Sequence, residues 1–260
     1  MEDIKNQLLI TKEGAVATLS LNRPPANSYY HDFLKQISES INEMSQDDSI
    51  KVILLNSTSE KFYCAGADIK IFAFNSTEQN QEMVVAAREV TAAISSSRKI
   101  IVTAIKGHIL GGGLEIAMAC DIRLGSEGTY LIGLPEVKLG LMPGNGGTHR
   151  MIDLLGASRA MELLVTGENI SPQNAYNYGL FNQLYSGKDF DQKVNDYVKK
   201  LAAGAGEAMA AIKQYVQHHK GMSLEDSLIY ETESVKGLYE THDAKEGFQA
   251  FVEKRKPNFK

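Results

Sequence analysis

Cysteine is scarce in this chain: Cys64 and Cys120 are the only two in 260 residues. Both sit among apolar or small neighbours, so they read as buried thiols rather than a disulfide, which suits a reducing cytoplasm. Without a matching histidine cluster they give no zinc signature, and no metal is expected. The adjacent His218 and His219 would point about 100° apart on a helix and read as surface residues. A basic excess is also missing. The net charge of −5 argues against nucleic acid as a general partner, but leaves room for a small anion held by a few local lysines. No window approaches the ~20 apolar residues of a membrane span. The opening MEDIKNQLLI, with two acids in its first three residues, is neither a secretory signal nor an Arg-rich transit peptide. The expectation is a cytoplasmic protein without membrane attachment.

What is present is an ordinary globular composition, 43% hydrophobic and 23% charged, with no low-complexity tract. Leu8 to Asn22 alternates around Lys12-Glu13-Gly14 and reads as a hairpin. Phe33, Ile37, Ile41 and Met44 follow at helical spacing. Lys51 to Asn56 reads as a buried strand. A helix over 77–97 carries Val84, Ala87, Val90 and Ile94 on one face, and Ile100 to Ile105 reads as the next strand. Strand–helix–strand alternation with cycles of about 45 residues predicts an α/β fold with covered sheets. After about residue 200 the strand signals stop. Ile212/Tyr215/Val216, Leu224/Leu228/Val235/Leu238 and Phe248/Phe251/Val252 mark three amphipathic helices. A region of that size cannot bury three apolar stripes alone, so residues 201–260 are expected to pack on the 1–200 core and on another subunit.

Three segments carry the chemistry. The first, HILGGGLEIAMACDIR, places Glu115 between Gly111-Gly112-Gly113 and an apolar helix. The glycines allow a tight turn and leave the first N–H groups of the helix uncovered, where an oxyanion can sit. Taken alone, the same run also fits a helix packed tightly on a strand, with Glu115 as a first-turn acid. Phosphate-loop and dinucleotide readings fail, because no Gly-Lys-Ser/Thr follows and G-x-G-x-x-G is absent. The second segment, FYCAGADIK, forms a small polar-tipped turn after a buried strand. The third, LPEVKLGLMPGNGGTHR, sets Glu136 among hydrophobic neighbours. Two carboxylates in apolar settings, with two loops that expose N–H groups, are the set required for acid–base chemistry beside a developing enolate.

In this order the segments resemble the crotonase (enoyl-CoA hydratase/isomerase) superfamily. The resemblance runs from Leu21-Asn22-Arg23-Pro24 to Phe251-Val252-Glu253-Lys254-Arg255-Lys256, and the three motifs together are very specific. It implies an α/β spiral of ββα units with a C-terminal helical trimerisation region, commonly as a dimer of trimers. By the same resemblance the oxyanion hole is the N–H of Ala67 and of Gly112, and the two hydratase glutamates are Glu115 and Glu136. One residue is inserted near Thr129-Tyr130-Leu131-Ile132, so Glu136 is placed by its own LPEVKLG context. The acids stand 21 positions apart, and only the fold can join them. Ala65, Ala67, Asp68, Ile69, Lys70 and Gly112 match the substrate-binding stretch, with Arg23, Lys70, Lys256 and Lys260 as candidates for the CoA phosphates.

The implied activity is addition of water to trans-2-enoyl-CoA to give 3-hydroxyacyl-CoA, with an acyl-CoA thioester as partner and no metal or redox cofactor. A Δ3,Δ2-enoyl-CoA isomerase, which can run on one base, and a non-catalytic CoA-ester-binding subunit are the alternatives. Three departures stand out. His149 replaces the usual Gln, Lys99-Ile100 replaces Lys-Pro, and Ser28-Tyr29-Tyr30 replaces Ala-Leu-Asn near the acyl pocket. None touches Glu115, Glu136, Ala67 or Gly112.

Overall fold

The expected hairpin forms β1 (Leu8–Glu13) and β2 (Val16–Leu21), paired antiparallel across Gly14-Ala15. The structure, a computed structural model, describes residues 7–260; the sequence reading of the first six residues lies outside it. Helix α1 (His31–Gln46) leads into a pattern that then occurs three times: a strand, a short second strand, and a helix. The first unit is β3 (Val52–Ser57) and β4 (Phe62–Cys64), then the short α2 (Ile69–Phe74) and α3 (Thr77–Ser96). The second is β5 (Ile100–Ile105), β6 (His108–Leu110) and α4 (Gly112–Ala119). The third is β7 (Ile122–Ser126), β8 (Ile132–Gly133), a 3-10 turn over Glu136–Leu139, and α5 (Gly147–Leu155).

Each unit gives its long strand to one sheet and its short strand to another. β9 (Gln183–Tyr185) closes the large sheet, whose order is β1-β2-β3-β5-β7-β9, parallel beyond the hairpin. The small sheet is β4-β6-β8, also parallel. This is the ββα spiral, and it explains why VILLNS and IIVTAI are near-continuous apolar runs: both faces are covered. Ile53, Leu55, Ile101 and Ile105 face a core filled from α1, α3 and α4 by Phe33, Ile37, Val90, Ile94 and Leu114. Val52, Leu54, Val102, Ala104 and Leu124 face the other way, against Phe190, Val194 and Val198 of α8 (Phe190–Ala202). Each fully buried large side chain contributes about 1.5–3 kcal/mol relative to exposure. Both cysteines are buried and free.

Beyond α6 (Ala157–Thr166), α7 (Pro172–Asn177) and α8 the chain continues only as α9 (Gly206–His218), α10 (Leu224–Leu238) and α11 (His242–Glu253). Lys213 ties α9 to the spiral. Its ammonium donates to the carbonyls of Ile94 and Lys99, each at 2.9 Å, and pairs with Asp121 at 2.8 Å. All three donors are satisfied, so this buried charge is held by hydrogen bonds as well as by its counter-ion. α10 and α11 are less covered: Leu224, Phe251 and Val252 are 77%, 84% and 79% exposed. His218 and His219 are exposed, as the sequence indicates. Among the described residues no helix is long and apolar enough to cross a membrane.

Candidate active site

Glu115 lies in the first turn of α4, a helix whose eight residues are all buried. Only 3% of the residue is exposed. A carboxylate at this depth needs donors, and it finds two in the backbone of a distant loop. Its Oε1 accepts from the N–H of Asn145 at 2.8 Å and of Gly147 at 2.7 Å. That loop is braced in turn: Arg88 Nε donates to the Gly144 carbonyl at 3.0 Å, and Arg150 Nη1 to the Asn145 carbonyl at 2.8 Å. Burial raises the Glu115 pKa, while the two N–H bonds and the Arg150 and Arg88 charges pull it back.

Glu136 approaches the same helix from the opposite side in sequence. It opens the 3-10 turn, and its Oε1 comes within 3.2 Å of where a Cβ on Gly111 would stand. Its Oε2 is enclosed and has no hydrogen-bond partner among the described residues. Burial pushes its pKa up to about 7; its own backbone N–H lowers it and the neighbouring Glu115 charge raises it further. The insertion noted in the sequence falls in the loop between β7 and β8, where Tyr130 is anchored by its hydroxyl to the carbonyls of Ile105 and Ser126. So it leaves the placement of Glu136 undisturbed.

Two uncommitted backbone donors stand beside the acids. The N–H of Tyr29 donates to the Gly66 carbonyl, and that of Asp68 to the Tyr29 carbonyl, both at 2.8 Å. This bridge uses groups that flank Ala67 and leaves its own N–H unspent. Gly112 is the first residue of α4, so its N–H has no intrahelical acceptor. The two loops touch. Gly66, at φ +86°, lies so close that a Cβ there would be 3.2 Å from the Gly112 nitrogen, which only glycine permits.

Ala65, Ala67, Ile69, Gly112, Glu115 and Glu136 line one cavity of about 310 Å³, otherwise walled largely by apolar groups such as Phe72, Met83, Leu139 and Met142. Asp68 sits behind this wall and caps α2 by accepting from the Lys70 N–H. Arg23 is bound to Asp68 at 3.1 Å and to the Ser28 carbonyl at 2.6 Å, and lies over the Tyr30 ring. Lys70 is exposed next to Ile69. Lys256 and Lys260 line no part of the cavity; the Lys260 N–H donates to Asp243. Sequence reasoning missed the loop that holds Glu115 and its two arginines, although the Gly144–Gly147 run signalled a backbone that comes close to something.

The family model described as enoyl-CoA hydratase/isomerase matches residues 11–260. The chain belongs to the enoyl-CoA hydratase/isomerase family. Among curated proteins of this family it is 36% identical over 260 residues to a probable enoyl-CoA hydratase of Bacillus subtilis, covering 98% of this chain and 99% of the relative. It is 33% identical to a short-chain-enoyl-CoA hydratase of Clostridium acetobutylicum, with 96% of each chain covered. The solved structure of an enoyl-CoA hydratase from Geobacillus kaustophilus superposes with a TM-score of 0.95 at 37% identity, over 98% of this chain and 97% of that one.

Proposed function

We propose that the protein is an enoyl-CoA hydratase, adding water across the 2,3 double bond of a trans-2-enoyl-CoA. The observation that carries this is a pair of acids, Glu115 held by two backbone N–H groups and Glu136 with an unpartnered oxygen, facing one apolar cavity beside two free N–H groups. In this reading Ala67 and Gly112 donate to the thioester oxygen, where negative charge grows as water attacks Cβ. Glu115, held as a carboxylate by Asn145 and Gly147, takes a proton from water. Glu136, whose pKa is near neutral, delivers a proton to Cα. The pair carries one proton before and after turnover, merely on the other partner, so no cofactor need supply or remove charge. Coenzyme A enters as part of the substrate, with Lys70, exposed next to the cavity-lining Ile69, as the first candidate for its phosphates.

Hydration requires Glu136 protonated in the free enzyme. Its kcat/KM is therefore expected to fall about tenfold per pH unit once pH rises past about 7. Dehydration follows the same limb, because it uses the same total of one proton. The test is crotonyl-CoA, followed by loss of its conjugated-enone absorbance, in the presence of a chelator. An isomerase running on Glu136 as a lone base would give the opposite sign, with 3-enoyl-CoA turnover rising through the same pH range and no hydration. That result would replace the hydratase reading.

The same proposal divides the chain into a spiral core, residues 1–200, and a helical region, 201–260, that joins subunits as a trimer or dimer of trimers. The support is an apolar groove of about 620 Å³ between α10 and α11, lined by Val235, Leu238, Phe248 and Phe251. Light scattering is expected to give a mass of three chains or a multiple of three, and a clean monomer at micromolar concentration would refute it.

A further inference from the structure

Tyr29 departs from the family's usual leucine-containing stretch, and its side chain ends inside the cavity just described. Its main chain grips the Ala67 turn from both sides through the two 2.8 Å bonds with Gly66 and Asp68, so the ring moves with the first backbone donor. The hydroxyl oxygen reaches the second. It lies 1.7 Å from where a Cβ on Gly112 would stand, and hence in contact with the Gly112 Cα; no other residue at 112 would admit it. The residue is 6% exposed, and its hydroxyl has no hydrogen-bond partner among the described residues. The other buried phenols do have one: Tyr63 accepts from Thr103 at 2.7 Å, and Tyr130 donates to two carbonyls. A buried donor normally has an acceptor, and Tyr29 lines the same cavity as Ala67 and Gly112, whose N–H groups have none either.

We propose that the Tyr29 hydroxyl is a third hydrogen-bond donor to the thioester oxygen of the substrate, beside the N–H groups of Ala67 and Gly112. The proposal rests on the hydratase reading for the position of that oxygen. Burial, together with the charges of Glu115, Cys64 and Glu136, raises the phenol pKa well above its ordinary value. Tyr29 therefore keeps its proton and acts as a donor, not a base. In a dry cavity a donor of this kind strengthens as charge builds on the oxygen, which is how it would accelerate the reaction rather than merely tighten binding.

Tyr29→Phe keeps the ring and removes only the oxygen. With crotonyl-CoA, kcat is expected to fall about 10- to 100-fold, while KM changes little and the pH limb near 7 stays in place. A second readout follows the carbonyl directly. An aryl-conjugated 2-enoyl-CoA bound to the wild-type protein should show a red-shifted absorbance from polarisation of its thioester, and the shift should shrink in Tyr29→Phe. Unchanged kcat with an unchanged red shift would overturn the proposal, as would a displaced pH limb, which would mean that the hydroxyl serves a glutamate instead. If the wild-type protein fails to hydrate any enoyl-CoA, the hydratase reading falls, and the red shift alone decides the role of Tyr29.

Discussion

Glu136→Gln and Glu115→Gln are each expected to lower kcat for hydration by about 10²- to 10⁴-fold, the usual worth of a positioned acid or base. The amide has nearly the same volume, so the fold should persist, and binding should change little because the backbone donors remain. The double variant is expected to be scarcely worse than the poorer single one. Both side chains serve one water and one transition state, so removing either already abolishes the concerted proton transfer, and their effects cannot add. What remains is turnover from the oxyanion donors and positioning. Kinetics of the four proteins on one substrate checks this. Full multiplication of the two losses would mean that the acids act in separate steps. The two variants should also differ in stability. Glu136 has a folded pKa above its unfolded one, so its ionisation opposes folding as pH rises between about 4.5 and about 7. Removing that charge should therefore raise the melting temperature above neutral pH, whereas Glu115→Gln keeps an oxygen for the Asn145 and Gly147 N–H groups but gives up the charge that strengthens both bonds.

Gly113→Ala is expected to damage both stability and activity. A Cβ there would stand 2.6 Å from the Cys64 carbonyl oxygen and 2.8 Å from the Cys64 Cβ. The first of these is backbone in β4, so relief requires α4 to move away from the small sheet. Overpacking of this kind typically costs about 1–3 kcal/mol. The larger effect falls on catalysis. The displaced helix carries Gly112 away from Ala67 and Glu115 away from the Asn145 and Gly147 donors at once, and misplacements of about an ångström cost on the order of 10²-fold. Urea unfolding and the hydration assay measure the two losses separately. An alanine variant of wild-type activity would show that α4 tolerates the shift and that donor spacing is not critical.

Much of this architecture is legible in the sequence because it repeats a period. The hairpin, α1, β3, α3 and β5 all announce themselves by alternation, helical spacing or a continuous apolar run. The small sheet does not. β4, β6 and β8 are three residues or fewer, too short for any periodicity to register, yet they aim both acids and both backbone donors. The motifs identify Glu115 and Glu136, but not what makes their hydrogen bonding differ. That depends on Asn145 and Gly147 reaching back 30 and 32 positions to one of the acids and not to the other. Arg23 shows the converse limit. Sequence offers it as a cation for phosphate, and the fold gives it Asp68 and the Ser28 carbonyl as partners. Lys213 sits on an amphipathic helix, where a lysine normally faces water, and is instead 5% exposed against Asp121.

Each turn of the spiral contributes one part of the site: the first holds Ala67, the second Gly112 and Glu115, the third Glu136 with the loop that steadies Glu115. None of these parts is adjacent in sequence, and no single ββα unit contains an acid together with both backbone donors. Catalytic competence is therefore an all-or-none property of the assembled chain. During refolding, helical content can recover while the units are still unpaired, because α1 and α3 form from local contacts, but enzymatic turnover must await the parallel pairing of β4, β6 and β8. Recovery of activity thus times a non-local event in the folding of the molecule, later than the recovery of local helix.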